Sequence, residues 1–237
     1  MVVNPALAVR ETPVDARDRS ALYDVFQTIH ADSCPREYNF HMHTVCSDGR
    51  LQPEELIQQA IELGLKGLAI TDHHSVNGYR RAQKWLDESK QMREENGTAA
   101  PTLWTGLEVN AYLLDTEVHI LAYAFDPDHP SIAPYLQGRT TMGREYQADR
   151  AIAAIHLAGG LAILAHPARY RRSVADLIPE AACLGIDGTE AYYAYNNPEP
   201  WTPSPSETEN VRQLNDRHNL LCTCGTDTHG LSLLRRV

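Results

Sequence analysis

Two histidines one residue apart introduce the chemistry of this chain, where Tyr38-Asn39-Phe40-His41-Met42-His43-Thr44 leads into Ser47-Asp48-Gly49. On an extended strand, residues i and i+2 point to the same face, so His41 and His43 present two imidazoles to one point in space. Such a pair can grip a metal ion, and Asp48, on the loop beyond the strand, adds a carboxylate nearby. Alone, such a pair is more often two ordinary polar residues, so the reading depends on partners downstream. Those partners recur as His73, Glu108, His119, His166, Asp227 and His229, repeatedly near the ends of short apolar runs. In a β/α barrel the C-terminal strand ends converge on one face, where active sites are built. A packed core alone does not call for ligand-type residues in that recurring place. The pattern reads as one clustered metal site.

The elements that must carry these residues alternate in type. Pro53, with Glu54 and Glu55 behind it, opens a helix with the apolar stripe Leu56, Ile57, Ala60 and Ile61, and Gly64 stops it. Residues 66–71 form an apolar run suited to a buried parallel strand, so the first three elements are β-α-β. Ser75 is placed to cap the next helix, which runs toward Gly97. The spacing predicts strands over 102–112, carrying Glu108, and 118–124, carrying His119. The gap between them is too short for a parallel crossover, which makes them an antiparallel hairpin. A helix over 145–157, a strand over 161–165, a helix over 174–184, a strand over 186–191, a helix over 206–218 and a strand over 220–225 complete the pattern. Upstream, Leu22, Val25, Phe26 and Ile29 are spaced three and four apart, which predicts an amphipathic helix over 15–31.

The chain has 237 residues, 43% of them hydrophobic, enough for one large core without a second domain. Residues 1–33 read as an N-terminal extension with one helix packed on the main domain, which spans 34–237. A formal charge of -10 argues against strong binding to nucleic-acid backbones, which takes clustered Lys and Arg. The five cysteines lack disulfide-framework or zinc-finger spacing and read as reduced, pointing to the cytoplasm. Cys222 and Cys224 read as small buried hydrophobes on a strand. No secretory leader is evident at the start, and no stretch approaches the ~18 apolar residues of a membrane span.

The motifs His-Met-His-Thr with Ser-Asp-Gly, Ile-Thr-Asp-His, Gly-Leu-Glu-Val, Val-His-Ile, Ala-His-Pro-Ala-Arg-Tyr and Gly-Thr-Asp-Thr-His-Gly, matched jointly and in order from about 38 to 230, resemble the PHP family of polymerase and histidinol phosphatase metal-dependent phosphoesterases. The resemblance implies an α/β fold of a distorted (β/α)7 barrel type holding two to three divalent cations, Zn, Mn or Fe. It implies that His41, His43, Glu108 and Asp227 hold one ion, that Glu108 bridges to a second held by His119 and His166, and that Asp48, His73 and His229 hold the third. Mixed imidazole and carboxylate ligation suits those metals. Two close ions can share a hydroxide and clamp phosphoryl oxygens during in-line displacement. Arg169, three residues after His166, matches the family's arginine after His-Pro and is the candidate phosphate-binding residue, with a surface arginine as the alternative.

Asp72, beside His73, is a candidate for orienting a ligand, with a cap or turn role equally open. Glu190 ends a strand and could approach the site, with an ordinary polar residue at the barrel rim the favoured reading; His74 reads as a bystander, and His30, His129, His156 and His218 as structural or exposed. The implied partner is a small-molecule phosphate ester, a nucleotide or a metabolite phosphate, with a short oligonucleotide left open. Two other readings stand beside it: a noncatalytic metal-stabilised module, and an amidohydrolase-like hydrolase of C-N bonds. One departure matters for specificity. Nucleotide- and RNA-directed relatives carry a helical insertion between the residues matching His119 and His166, where this chain holds only a loop and one helix.

Overall fold

The computed structural model describes residues 15–237, so residues 1–14 of the expected extension lie outside it. The first described helix, α1 (Arg19–Thr28), is capped by Asp18, whose carboxylate accepts the Ala21 N–H, and it buries Leu22 and Phe26. It is shorter than the spacing predicts because Ile29 takes an extended backbone. The strand β1 (Tyr38–Asn39) is followed by α2 (Pro53–Leu63), which ends on Gly64 in the left-handed conformation, as the sequence indicated. Next come β2 (Gly67–Ala69), α3 (Asn77–Glu95) and β3 (Thr102–Trp104). Ser75 does not cap α3 in the expected way: Val76 is the cap residue, and the Ser75 hydroxyl accepts the Asn77 N–H at 3.2 Å.

The strand predicted over 102–112 is two strands in two sheets. β3 pairs with β2, while β4 (Gly106–Leu113) pairs with β5 (Thr116–Tyr123), the chain changing sheets at Thr105. The β4–β5 hairpin is antiparallel as expected, with Leu114 and Asp115 both at positive φ in its two-residue turn. After α4 (Ala148–Leu157) come β6 (Leu161–Leu164), α5 (Val174–Cys183), β7 (Gly188–Tyr192), α6 (Pro205–His218) and β8 (Leu221–Cys224). Between β5 and β6 the chain forms only a short 3-10 turn and α4.

Among the described residues the ladders form a three-stranded sheet, β1-β2-β3, and a five-stranded sheet, β4-β5-β6-β7-β8. The fold is therefore α/β with mixed sheets, and its ladders do not close into a single barrel. The sheets meet at two places, after β2, where the His74 N–H donates to Glu108 O at 2.9 Å, and along the run after β1. Phe40 N–H donates to Cys224 O at 3.1 Å, Asp227 N–H to His41 O at 2.8 Å and His43 N–H to Thr228 O at 2.9 Å. The first and last strands thus run on as neighbours, which brings the His41–His43 segment beside the Asp227–His229 segment.

This seam lies over the larger core. Phe26 and Phe40 meet edge to face at 4.9 Å, Tyr123 packs on Phe26 at 5.6 Å, and the Tyr123 hydroxyl donates to Phe40 O at 2.7 Å. A smaller cluster holds Leu56, Ile57, Leu68 and Leu86 from α2, β2 and α3, joined by Leu233 from beyond β8. Because Phe40 is fully buried where α1, β1 and β5 meet, Phe40→Ala should cost about 3–5 kcal/mol of unfolding free energy in chemical denaturation. A loss below about 1 kcal/mol would contradict this account of the core.

Candidate metal centre

Glu108, on β4, is buried at the centre of five imidazoles. Its Oε2 lies 3.0 Å from both His41 Nε2 and His43 Nε2 and 3.6 Å from His73 Nε2. Its Oε1 lies 2.7 Å from His119 Nδ1 and 3.6 Å from His166 Nε2. Asp227 extends the cluster, with Oδ1 at 3.4 Å from His41 Nε2, 3.2 Å from His43 Nε2 and 3.4 Å from His229 Nδ1. Asp48 closes the outer side, with its oxygens 3.5 Å from His43 Nδ1, 3.8 Å from His73 Nε2 and 3.2 Å from His229 Nε2. All nine ligand-type residues singled out from the sequence converge here.

The nitrogens are close to carboxylates yet not bonded to all of them. Both ring nitrogens of His43, Nδ1 of His73 and Nδ1 of His166 are buried without a hydrogen-bond partner. Each such orphan costs about 1–3 kcal/mol when nothing answers it. Ligand atoms gather in four overlapping groups, each within 4.8 Å: His41, His43 and Glu108; His41, His166 and Asp227; His73, Glu108 and His119; and His43, Asp48, His73 and His229. The orphaned nitrogens, the mixed donors and these shared foci fit divalent cations. Glu108 belongs to two groups, as a bridging carboxylate must. The grouping departs from the implied allocation: His166 falls with His41 and Asp227 rather than with His119, His73 also groups with Glu108 and His119, and His43 also groups with Asp48, His73 and His229.

The backbone at two of these positions is strained. His166 has φ 27° and Asp227 φ 53°, in the left-handed region that side chains avoid. Asp227 is held there by its N–H bond to His41 O at 2.8 Å.

Glu190, on β7, corrects the sequence expectation. It is fully buried, its carboxylate takes His41 Nδ1 at 3.0 and 3.1 Å, and it accepts the His166 N–H at 2.9 Å. It therefore fixes the His41 ring with Nε2 facing the cluster, the usual arrangement of a carboxylate behind a ligating histidine. The approach is close enough that a Cβ on Gly225 would lie 2.2 Å from that of His41 and 2.9 Å from Glu190 Oε1.

Asp72 does not touch the cluster. It is buried, and it accepts the Thr44 N–H, the Thr44 hydroxyl and the Ser47 hydroxyl, each at 2.7 Å. Its work is to hold the loop that carries Asp48, and a Cβ on Gly78 would come within 2.0 Å of its Oδ2. His74 turns away at φ 50° toward Asn110.

Arg169, in the 3-10 turn after His166, reaches Asp227 Oδ2 through Nη1 at 3.2 Å. The same oxygen accepts the Tyr193 hydroxyl and Arg236 Nε, both at 2.7 Å. Tyr170 uses its hydroxyl to accept the His119 N–H at 2.7 Å. Arg169, Arg236, Tyr170, Asp227 and the outer histidines line a cavity of about 350 Å³. Sequence reasoning missed Tyr193 and Arg236, which belong to no motif. Tyr170 could have been found, since it ends the Ala-His-Pro-Ala-Arg-Tyr run.

The electrostatics follow from this packing. Burial pushes the Glu108 and Asp227 carboxyls up, but the surrounding imidazoles win and hold both well below their ordinary range. Burial opposes charge on His41, yet Glu190, Glu108 and Asp227 together raise its pKa well above normal, and His43 is raised to about 9 against the same opposition. Burial prevails at His73, lowered to about 4, and at His166, also lowered.

Without metal, His43 and His41 bind protons more tightly folded than unfolded, so their contribution is complete below their unfolded value of 6.5; the His43 part is lost as pH rises through about 9, and the His41 part is likewise lost on the alkaline side. His73 and His166 do the reverse, losing stability as pH falls below 6.5, His73 toward about 4. The chelated protein should therefore be most stable near pH 6.5, its urea midpoint falling toward pH 9, whereas added divalent metal should reverse that upper slope by displacing protons. A midpoint that climbs steadily to pH 9 in chelator would refute this balance. In a chelator competition, Glu190→Gln should weaken metal binding by about 10–100-fold; unchanged affinity would return Glu190 to a purely structural role.

The comparisons with known proteins agree with this site. A profile of the PHP domain matches residues 39–182. The chain is 25% identical over 225 residues to a 5'-3' exoribonuclease of Haemophilus influenzae, covering 65% of this chain and 78% of that one. It is 24% identical over 267 residues to the phosphoribosyl 1,2-cyclic phosphate 1,2-diphosphodiesterase of Eggerthella lenta, covering 81% and 94%. Among solved structures, a proposed metal-dependent phosphoesterase from Bifidobacterium adolescentis superimposes with a TM-score of 0.63 at 26% identity, covering 83% of this chain and 88% of that one. An amidohydrolase from Chromobacterium violaceum, solved with bound sulfate, shares the fold at a TM-score of 0.65 and 20% identity, covering 82% and 88%. With the profile spanning more than half the sequence and including seven of the nine clustered residues, the chain belongs to the PHP domain family.

Proposed function

We propose that this protein is a metal-dependent phosphoesterase that hydrolyses a phosphomonoester, a nucleotide or a small-metabolite phosphate. The observation that carries the reading is the convergence of nine imidazole and carboxylate ligands, with buried ring nitrogens left unanswered, on one side of a cavity that Arg169 borders. We read the two sheets as parts of the distorted barrel that the family resemblance implies. Divalent cations bound here would supply Lewis-acid polarisation of phosphoryl oxygens and an activated water.

The chain's own residues do the rest. His41, set by Glu190, and His43 would hold cations on the buried side together with Glu108 and Asp227, and His119 and His166 face them across Glu108. Asp48, His73 and His229 face the opening, where a leaving oxygen would emerge. Arg169 is half exposed and offers a planar guanidinium to a phosphoryl group entering the cavity. Both a nucleotide and a smaller phosphate are compatible with a cavity of about 350 Å³. Among the described residues no helix is long and apolar enough to cross a membrane.

Purified protein should contain two to three divalent metal ions by elemental analysis and turn over members of a phosphate-ester panel. Chelation should abolish that activity, and His43→Ala should reduce it at least about hundredfold. Full metal occupancy with no turnover of any phosphate ester would sink the proposal.

A further inference from the structure

We propose that Arg236 is the second arm of a clamp on a dianionic phosphoryl group and that it biases the site toward phosphomonoesters over phosphodiesters; the inference rests on the phosphoesterase reading. The segment after His229 folds back across the site on specific anchors. Leu233 is fully buried in the cluster between α2 and α3, and its N–H donates to Gln59 Oε1 at 3.2 Å. Gln59 Nε2 donates to Leu231 O at 3.0 Å, and the Thr228 hydroxyl donates to Arg235 O at 2.9 Å. Arg236 O in turn accepts the His229 N–H at 2.6 Å, which ties this segment to a candidate ligand. Arg236 is thus placed by packing and backbone bonds, and its guanidinium lines the cavity beside Arg169.

The two arginines address one anion. Arg236 uses Nε and Arg169 uses Nη1 on the single oxygen Oδ2 of Asp227, at 2.7 and 3.2 Å, so their forks converge and cannot serve two separated phosphates. At Asp227 two guanidinium charges face one carboxylate charge, which leaves donors over on this side of a cavity that Asp48, Glu108 and Glu117 line elsewhere. A terminal phosphoryl group carries close to two negative charges and three free oxygens, whereas a diester carries one charge and two free oxygens. The donors that Asp227 does not use match the first better than the second.

The test compares metal-loaded wild type, Arg236→Gln and Arg236→Lys on p-nitrophenyl phosphate and bis(p-nitrophenyl) phosphate, together with calorimetric binding of inorganic phosphate. Arg236→Gln should lower monoester kcat/KM and weaken phosphate binding by about 10–100-fold, with a smaller effect on the diester, so the monoester-to-diester ratio falls about tenfold. Arg236→Lys, which keeps the charge without the planar fork, should recover part of the loss, and thermal melting checks that both variants fold. Parallel loss on both substrates, or unchanged phosphate binding, would overturn the clamp and leave Arg236 as a support for Asp227. If wild type cleaves neither ester, the phosphoesterase reading is decided by the full phosphate-ester panel, and phosphate binding alone decides the clamp: loss in Arg236→Gln sustains it and equal binding ends it.

Discussion

A carboxylate sealed from water among five imidazoles is the constraint around which this molecule is arranged. Glu108 keeps about 1% of its surface exposed, and an uncompensated charge there would cost several kcal/mol. Something positive must sit within reach: protons on His41 and His43, or cations shared with them. The fold supplies that compensation from elements at both ends of the chain, and the orphaned nitrogens of His43, His73 and His166 show that protein groups alone leave the arrangement incomplete. Folding and ligation are one problem here, because the centre that would do the chemistry is also the place where the packing is least self-sufficient.

The seam between the two sheets is the fold's answer. It sets His41 and His43 against Asp227 and His229 through three backbone hydrogen bonds, and it requires glycine at position 225 so that His41 and Glu190 can close together. Two of the clustered residues, His166 and Asp227, are also in left-handed backbone. Residues held this way persist only where their surroundings over-determine them. Glu190 bonding the His166 N–H and His41 O accepting the Asp227 N–H are that over-determination.

What was legible in the sequence follows from range. The alternation of helices and strands, the antiparallel hairpin and the nine convergent ligands could be read because each depends on local spacing and on motifs that keep their order. Glu190 could not be separated from a rim residue, because its meaning comes from His41, 149 residues away. Arg236 and Tyr193 were silent for the same reason, and of the two roles open to Asp72 its hydrogen bonds to Thr44 and Ser47 match the turn role. The split of one apolar run into β3 and β4 at Thr105 was hidden because both halves carry strand-like residues; only the choice of neighbouring strand separates them.

The distance in sequence between the two sides of the site has a consequence for synthesis. Asp48 and His229 lie 181 residues apart, so at about 5–20 residues per second the first histidines wait roughly 10–40 s for their last partners. During that interval the ribosome-bound chain already displays His41, His43, Glu108 and His119, a partial chelating set. A cation captured then would act as a folding nucleus linking β1 to β4 and β5 before the seam exists. Metal supply during translation, and not only after it, would then govern how much chain reaches the closed form.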